Sequence, residues 1–168
     1  FIMNVYRNID RSKVQFDFLT HYIKEGDYDK EIIKLGGKIY RLPLMENKNI
    51  YQYLRDLDSF FKNHKEYDIV HGHWTTFGLF YMYYAKKYGI KHRISHAHAS
   101  KTKLRISGVI KAMLAKSMKF VSNIYFGCSE SAVKWLYGKQ SKIVKSGRAR
   151  VINNAIDLEK FSFNKSIR

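Results

Sequence analysis

Asp68-Ile69-Val70-His71-Gly72-His73 and Arg93-Ile94-Ser95-His96-Ala97-His98 are two apolar stretches of the chain, and each ends in a pair of histidines. A segment with helical spacing of its apolar residues follows each stretch, so both stretches are predicted to be buried strands of βα units. In an open parallel sheet, the ligand crevice lies just outside the carboxyl ends of the strands. We therefore expect the two histidine pairs to face one cleft.

Strand and helix patterns alternate along the whole chain. The spacing predicts strands over 14–19, 38–42, 68–71, 92–95, 124–128 and 150–153, and helices over 1–9, 29–35, 49–62, 77–88, 104–121 and 130–137. The basic stretch 139–150 has no apolar period and is predicted to be a solvated loop. Strands that alternate with helices of this length form a parallel sheet with helices on both faces. The predicted fold class is α/β, a Rossmann-like three-layer domain with a mostly parallel sheet.

The composition indicates a globular domain with anionic partners. The chain has 168 residues, of which 45% are hydrophobic, and its formal net charge is +17 at pH 7. Such a charge favours nucleic acid, an acidic membrane surface or phosphorylated ligands. The single cysteine, Cys128, cannot form an internal disulfide and is typical of a reducing cytosol. No apolar run in the sequence is long enough to span a bilayer.

The two histidine pairs allow three interpretations. Histidines at positions i and i+2 of a strand lie on one face, so the two pairs together offer four imidazoles to a metal ion. No carboxylate or second cysteine completes such a site, and the two strands have to align in register, so we expect no metal. Alternatively, some of the rings only hydrogen-bond to the backbone at the end of the sheet. The third interpretation, an imidazole that donates a hydrogen bond to a phosphate or a sugar hydroxyl, suits the basic surroundings best.

Hydroxyl and basic residues open two of the predicted helices. Ser100 and Lys103 follow the second histidine pair, and Ser129 precedes the helix over 130–137. The start of a helix offers backbone N–H groups and a positive dipole end to an anion. We therefore take Ser100, Lys103 and Ser129 as candidate contacts for an anion, although a plain helix cap is the simpler role for Ser129.

The helix predicted over 104–121 combines an apolar stripe with a basic face. Such a helix commonly packs its stripe on the sheet and exposes its lysines to water. The same pattern is typical of a helix that attaches to an anionic membrane surface, where each basic residue contributes about 1 kcal/mol. Spacing alone does not choose between these two interpretations.

Four stretches of the chain, taken in order, resemble the amino-terminal domain of glycosyltransferase family 4. They are Tyr67–His73, Arg93–His98, Phe126–Ser129 and Val151–Phe161, and the last, with Asn154 and Asp157, is the most specific. The nearest group is that of the bacterial transferases of capsular and exopolysaccharide synthesis. The resemblance implies one half of a GT-B fold and a retaining, metal-independent transfer of a sugar from a nucleotide sugar to a glycan or lipid-linked acceptor.

The resemblance also assigns roles to individual residues. His98 matches the family histidine near the transferred sugar and the donor phosphates, and it is the expected catalytic residue. Lys103 is a less specific anion contact. The strand end that faces the acceptor corresponds to His71, Gly72, His73 and Trp74. Asn154 and Asp157 belong to the motif that leads into the second domain.

The family pattern includes parts that this chain does not contain. The first strand, with its Gly-Gly loop, and the nucleotide-binding domain are missing from it, so we expect residues 1–154 to be an acceptor-side domain and 155–168 to begin a linker. On this interpretation the fragment alone is inactive, and its parent protein works at the cytoplasmic face of the inner membrane. The alternatives from other classes are a basic nucleic-acid-binding domain, supported by charge alone, and a non-catalytic interaction domain.

Overall fold

A computed structural model describes residues 1–43, 49–99 and 106–154 of the chain, with backbone only for residues 106 and 107. The α-helices are α1 (Ile2–Asn8), α2 (Asp29–Lys34), α3 (Ile50–Asn63), α4 (Gly78–Lys87), α5 (Ile106–Ser117), α6 (Glu130–Tyr137) and α7 (Lys142–Lys145). The strands are β1 (Phe18–Thr20), β2 (Ile39–Arg41), β3 (Ile69–Gly72), β4 (His92–Ala97), β5 (Ile124–Gly127) and β6 (Ala149–Val151). A short 3₁₀ helix over Met118–Phe120 follows α5.

The described residues form two compact units. One unit covers Phe1–Tyr53 and includes Asn154, and the other covers Leu54–Asn153. In the first unit, β1 and β2 pair in parallel, with Phe18 opposite Ile39. The buried Tyr6 side chain lies at the centre of this unit, where its hydroxyl donates to the Leu35 carbonyl at 3.1 Å.

The second unit is built around a four-stranded parallel sheet with the order β3-β4-β5-β6. Every neighbouring pair in this sheet is parallel, so all four carboxyl ends lie at one edge. Helix α6 packs its apolar side on the sheet, with Val133, Leu136 and Tyr137 in a buried cluster around Ala97 and Tyr125. Burial of such side chains away from water is the main force that holds helix and sheet together.

The structure confirms the predicted α/β class with parallel, Rossmann-like pairing. The first predicted strand begins later than its apolar pattern suggests, because Val14 is exposed and pairing with β2 starts only at Phe18. There the Asp17 carboxylate accepts a hydrogen bond from the Lys38 backbone N–H at 2.7 Å, which ties the start of β1 to that of β2. The predicted domain over 1–154 stays a prediction, and the predicted linker over 155–168 lies outside the described residues.

The prediction of a plain loop over 139–150 was wrong. Residues Lys142–Lys145 form α7, and the Ser141 hydroxyl caps this helix by accepting from the Val144 N–H at 3.3 Å. Ile143 and Val144 pack against the core cluster of the second unit. A helix of one turn is too short to show an apolar period, so its cap and its two apolar residues were the only signals.

The structure divides the long helix predicted over 104–121. Helix α5 ends at Ser117, the 3₁₀ turn continues to Phe120, and residues 104 and 105 lie outside the described residues. The buried side of this segment includes Ala115 and Met118. Across the described ranges, no helix has the length and the apolar character needed to cross a membrane.

Candidate functional site

The two histidine pairs meet at the carboxyl edge of the four-stranded sheet. Strands β3 and β4 are parallel neighbours, with His71 opposite Ile94 and Gly72 opposite Ser95. Because side chains of a strand alternate between faces, His71 on β3 and His73, one residue past its end, lie on one face, and so do His96 on β4 and His98, one residue past its end. The ladder brings both pairs to the same face, which confirms that they lie together.

The four imidazoles, which we call the histidine cluster, touch one another in pairs. Nε2 of His71 lies 3.1 Å from Nδ1 of His96, and Nδ1 of His73 lies 2.8 Å from Nε2 of His98. Ring centroids are 4.2 Å apart for His71 and His73 and 4.4 Å apart for His96 and His98. Both nitrogen distances fit N–H···N hydrogen bonds, in which one ring of each pair donates and the other accepts.

The cluster runs from the interior of the unit to its surface. His96 is fully buried, His73 is half-buried, and His71 and His98 are exposed. The Phe126 ring on β5 lies edge-on beneath His71 and His96, with centroids 6.0 Å and 5.9 Å away. The buried end of the cluster is therefore held by packing, whereas His71 and His98 at the other end are exposed.

The surroundings of the cluster keep its imidazoles neutral at pH 7. Although the His71 residue is exposed in part, its imidazole is desolvated by the neighbouring rings, and this burial lowers the pKa of His71 to about 4, with a contribution from His98. Burial and the three neighbouring rings lower the pKa of His73 to about 2. The pKa of His96 falls to about 4, mainly through burial, and burial also lowers the pKa of His98. Each ring is then a neutral imidazole, with one N–H donor and one acceptor nitrogen.

Gly72 belongs to the packing of the unit rather than to its open surface. This residue is buried, and a Cβ at its position would overlap the Tyr81 hydroxyl and the Met82 methyl group of α4. The Tyr81 hydroxyl donates to the Trp74 carbonyl at 2.8 Å, so the close approach of α4 fixes the turn after β3. The predicted acceptor residue Gly72 thus lies against α4, where it positions its histidine neighbours.

Trp74 extends the open end of the cluster. Its side chain is exposed, and its ring lies 5.1 Å from that of Phe77, centroid to centroid. An exposed indole beside polar groups offers an apolar face to a ligand.

The predicted phosphate contacts are placed only in part. The Ser129 hydroxyl caps α6 by accepting from the Ala132 N–H at 3.2 Å, and it lies 2.9 Å from Oγ of Ser131. Ser100, Lys103 and Asp157 lie outside the described residues. Asn154 is exposed and belongs to the first unit.

Tyr137 is a supporting residue that the sequence analysis missed. Its buried hydroxyl lies 2.6 Å from the Ser95 carbonyl oxygen, 2.8 Å from the Phe126 carbonyl oxygen and 2.9 Å from Oγ of Ser95. These contacts tie β4 to β5 immediately before His96. The sequence predicted that Tyr137 ends the helix over 130–137, but nothing in the sequence indicated where its hydroxyl binds.

Comparison with known proteins assigns the family. Residues 1–160 match Glycosyltransferase Family 4. EpsF of Bacillus subtilis (strain 168), whose name describes it as a glycosyltransferase, is 30% identical over 166 residues. That match covers 97% of this chain and 43% of EpsF, so the chain spans less than half the length of this relative. The chain therefore belongs to glycosyltransferase family 4.

Proposed function

We propose that this chain is the acceptor-side half of a retaining glycosyltransferase that transfers a hexosyl group from a nucleotide sugar to a glycan or lipid-linked acceptor in cell-surface polysaccharide synthesis. The observation that carries the proposal is the histidine cluster, which places neutral hydrogen-bonding groups and Trp74 at the carboxyl edge of a parallel sheet. This edge is where open α/β sheets bind ligands. Membership of the family supplies the reaction class.

In the proposed reaction, His98 assists the departure of the nucleoside diphosphate. The acceptor hydroxyl forms the new glycosidic bond while the bond between the sugar and the diphosphate breaks, and the hydroxyl proton passes to the departing phosphate. When Nε2 of His98 accepts a hydrogen bond from Nδ1–H of His73, Nδ1 of the neutral His98 ring carries a hydrogen and is a donor. A donor placed where negative charge develops lowers the barrier, and this step requires no metal.

The remaining predicted residues divide between the two substrates. His71, His73 and Trp74 form the proposed acceptor wall, because sugar hydroxyls need polar partners and the apolar face of a sugar ring packs on an aromatic side chain. Ser100, Lys103 and Ser129 are the proposed contacts of the donor phosphates. The net charge of +17 adds a general attraction for an anionic donor.

Sugar transfer is the direct test of this proposal. We expect a protein that joins this chain to a family 4 nucleotide-binding domain to transfer sugar from a nucleotide sugar to a lipid-linked acceptor, and the chain alone to transfer none. The reason is that the donor needs the second domain. Product formation is followed with radiolabelled nucleotide sugar. Turnover by the 168-residue chain alone would contradict the proposal that the donor binds to a second domain. Salt-sensitive binding of duplex DNA without lipid binding would favour the nucleic-acid alternative.

We also propose that the α5 surface holds the protein at the cytoplasmic face of the inner membrane. Val109, Ile110 and Met113 on α5 are 51%, 54% and 65% exposed, and Phe120 in the following turn is 70% exposed. Lys111 and Lys116 are exposed on the same helix. Exposed apolar side chains beside lysines fit insertion among anionic headgroups better than contact with water.

Removal of two lysines from the α5 surface is expected to weaken membrane binding. A Lys111→Gln/Lys116→Gln variant should bind vesicles of anionic phospholipid about tenfold or more weakly than the unchanged chain, because each lysine contributes about 1 kcal/mol. Lys139→Gln/Lys145→Gln is the matched control, since it removes the same charge from exposed positions outside α5. Binding is measured by vesicle co-sedimentation at fixed salt. An equal loss of vesicle binding in both variants would mean that overall charge alone attracts the protein to the membrane, and it would contradict a specific role of the α5 surface.

A further inference from the structure

The geometry points to a second use of the histidine cluster, as a binding site for a metal ion. Each of His71, His73 and His96 offers one ring nitrogen, and these three nitrogens lie within 4.8 Å of one another. We propose that these three residues bind one divalent transition-metal ion of the class of Zn²⁺, and that His98 orients His73. This proposal replaces the expectation of no metal drawn from the sequence; the site shares His71 and His73 with the proposed acceptor wall, although the proposed transfer itself uses no metal.

The distances between the rings suit such an ion. Zinc binds imidazole nitrogens at about 2.0–2.1 Å in a tetrahedral arrangement, which places its ligand nitrogens roughly 3.3 Å apart. Nε2 of His71 and Nδ1 of His96 are already 3.1 Å apart. The remaining separations, at most 4.8 Å, need a movement of roughly 1.5 Å, which small rotations of the half-buried His73 and the exposed His71 supply.

The hydrogen bond between His73 and His98 prepares His73 as a ligand. When Nδ1 of His73 donates to Nε2 of His98, Nε2 of His73 carries a lone pair. Metal-binding histidines usually donate their second ring N–H to a neighbouring acceptor in this way, which fixes the tautomer and the orientation of the ring. His98 therefore acts on the metal through His73.

Metal binding at this site requires no net gain or loss of protons. In the hydrogen bond between His71 and His96, one of the two facing nitrogens carries a hydrogen. When the metal takes the place of that hydrogen, the ring moves the proton to its other nitrogen, and the ligand set stays neutral. Histidine binds metals in this neutral form.

The ligand chemistry selects the ion. Three imidazoles without a carboxylate favour Zn²⁺, Co²⁺, Ni²⁺ or Cu²⁺ over Mg²⁺, Mn²⁺ and Ca²⁺, which prefer oxygen ligands. The net charge of +17 works against any cation, so the selectivity has to come from the nitrogen ligands. Because His71 and His73 are also part of the proposed acceptor wall, a bound ion is expected to inhibit sugar transfer, and a chelator is expected to reverse the inhibition.

The test is direct metal binding by the 168-residue chain, prepared without a polyhistidine tag. We expect Co²⁺ to give the visible absorption of a tetrahedral site at one ion per chain, and Zn²⁺ to displace it. His71→Asn and His73→Asn remove a ligand and should weaken binding by more than about tenfold, and His98→Asn should weaken it by about tenfold. His92→Asn, at the exposed start of β4, is the matched control and should bind as the unchanged chain does.

The results separate this site from the proposed enzyme. Binding is measured without nucleotide sugar or acceptor, so its outcome does not depend on transfer. Absence of tetrahedral Co²⁺ absorption in the unchanged chain would overturn the proposal, as would equal binding by the His71→Asn and His92→Asn variants. His71 is exposed, so its replacement leaves the fold intact even if that of the half-buried His73 does not, and circular dichroism checks each variant.

Discussion

Replacement of His98 by alanine is expected to lower the rate of sugar transfer about 10²–10³-fold in a protein that joins this chain to a nucleotide-binding domain. The imidazole is exposed at the carboxyl end of β4, where it meets His73 at 2.8 Å and remains neutral at pH 7. Loss of one donor to a developing negative charge typically costs this much in turnover. The loss should therefore appear in the rate at saturating substrate.

Two further variants distinguish catalysis from structure. His98→Asn keeps an N–H donor near the same place, so its rate should fall between those of the unchanged protein and the alanine variant. His92→Ala removes an exposed histidine from the other end of β4 and should leave the rate unchanged. Thermal unfolding is measured for all three variants, because His98 is exposed and its loss should hardly alter stability. An unchanged transfer rate in His98→Ala would refute the role assigned to this residue.

The sequence predicted the elements of the fold well wherever the apolar period is long. The predicted helix over 130–137 has the same bounds as α6, and its cap by Ser129 is confirmed. The strand before the first histidine pair lies within one residue of its prediction. The one-turn helix α7 was missed, because four residues do not reveal a period and packing against the core stabilises it.

The site was predictable as a place but not as a geometry. The histidines have an i and i+2 spacing and follow two strands. These two facts were enough to predict that both pairs share one edge of the sheet. Which rings touch depends on the shift between β3 and β4, and the structure sets this shift by pairing Ile69 with His92. A shift by one residue would have separated the pairs onto opposite faces, and the local sequence does not encode this choice.

The α5 surface marks another limit of sequence patterns. An apolar stripe has the same period whether it packs on a sheet or enters a membrane. Only the fold reveals that Ala115 and Met118 are buried while Ile110 and Met113 stay exposed. Helix α5 therefore places the small side chain of Ala115 in the core and leaves Val109, Ile110 and Met113 exposed, and Met118 is buried in the 3₁₀ turn that follows.

Mild acid is expected to destabilise the unit that carries the histidine cluster. In the folded state, the pKa of His71 and His96 is about 4 and that of His73 about 2, whereas an unfolded histidine titrates near 6.5. The unfolded chain therefore binds more protons than the folded chain below pH 6.5. The stabilisation is complete above pH 6.5 and is lost as the pH falls towards 4.

The size of the effect follows from the most buried ring. A histidine that is neutral when folded and charged when unfolded costs about 1.4 kcal/mol per pH unit, so the fully buried His96 alone should lower the free energy of unfolding by about 2 kcal/mol between pH 6.5 and pH 5. His73 adds to this loss, and the exposed His71 adds less because solvent screens its charge. A domain of ordinary stability, about 5–15 kcal/mol, loses a large part of its margin in this way.

Urea unfolding at pH 7, 6 and 5 measures this loss, with a chelator present so that metal binding does not interfere. Both tryptophans of the chain, Trp74 and Trp135, belong to the unit Leu54–Asn153, so tryptophan fluorescence reports this unit alone. Carboxylates with lowered pKa values, such as Asp58 and Glu130, also lose stabilisation as the pH falls, so a variant of the cluster is needed to separate its contribution from theirs. His92→Asn should keep the slope and His73→Asn should reduce it. A free energy of unfolding that stays constant from pH 7 to pH 5 would show that the cluster accepts protons while folded, because water then reaches its rings and their burial is not what sets their pKa.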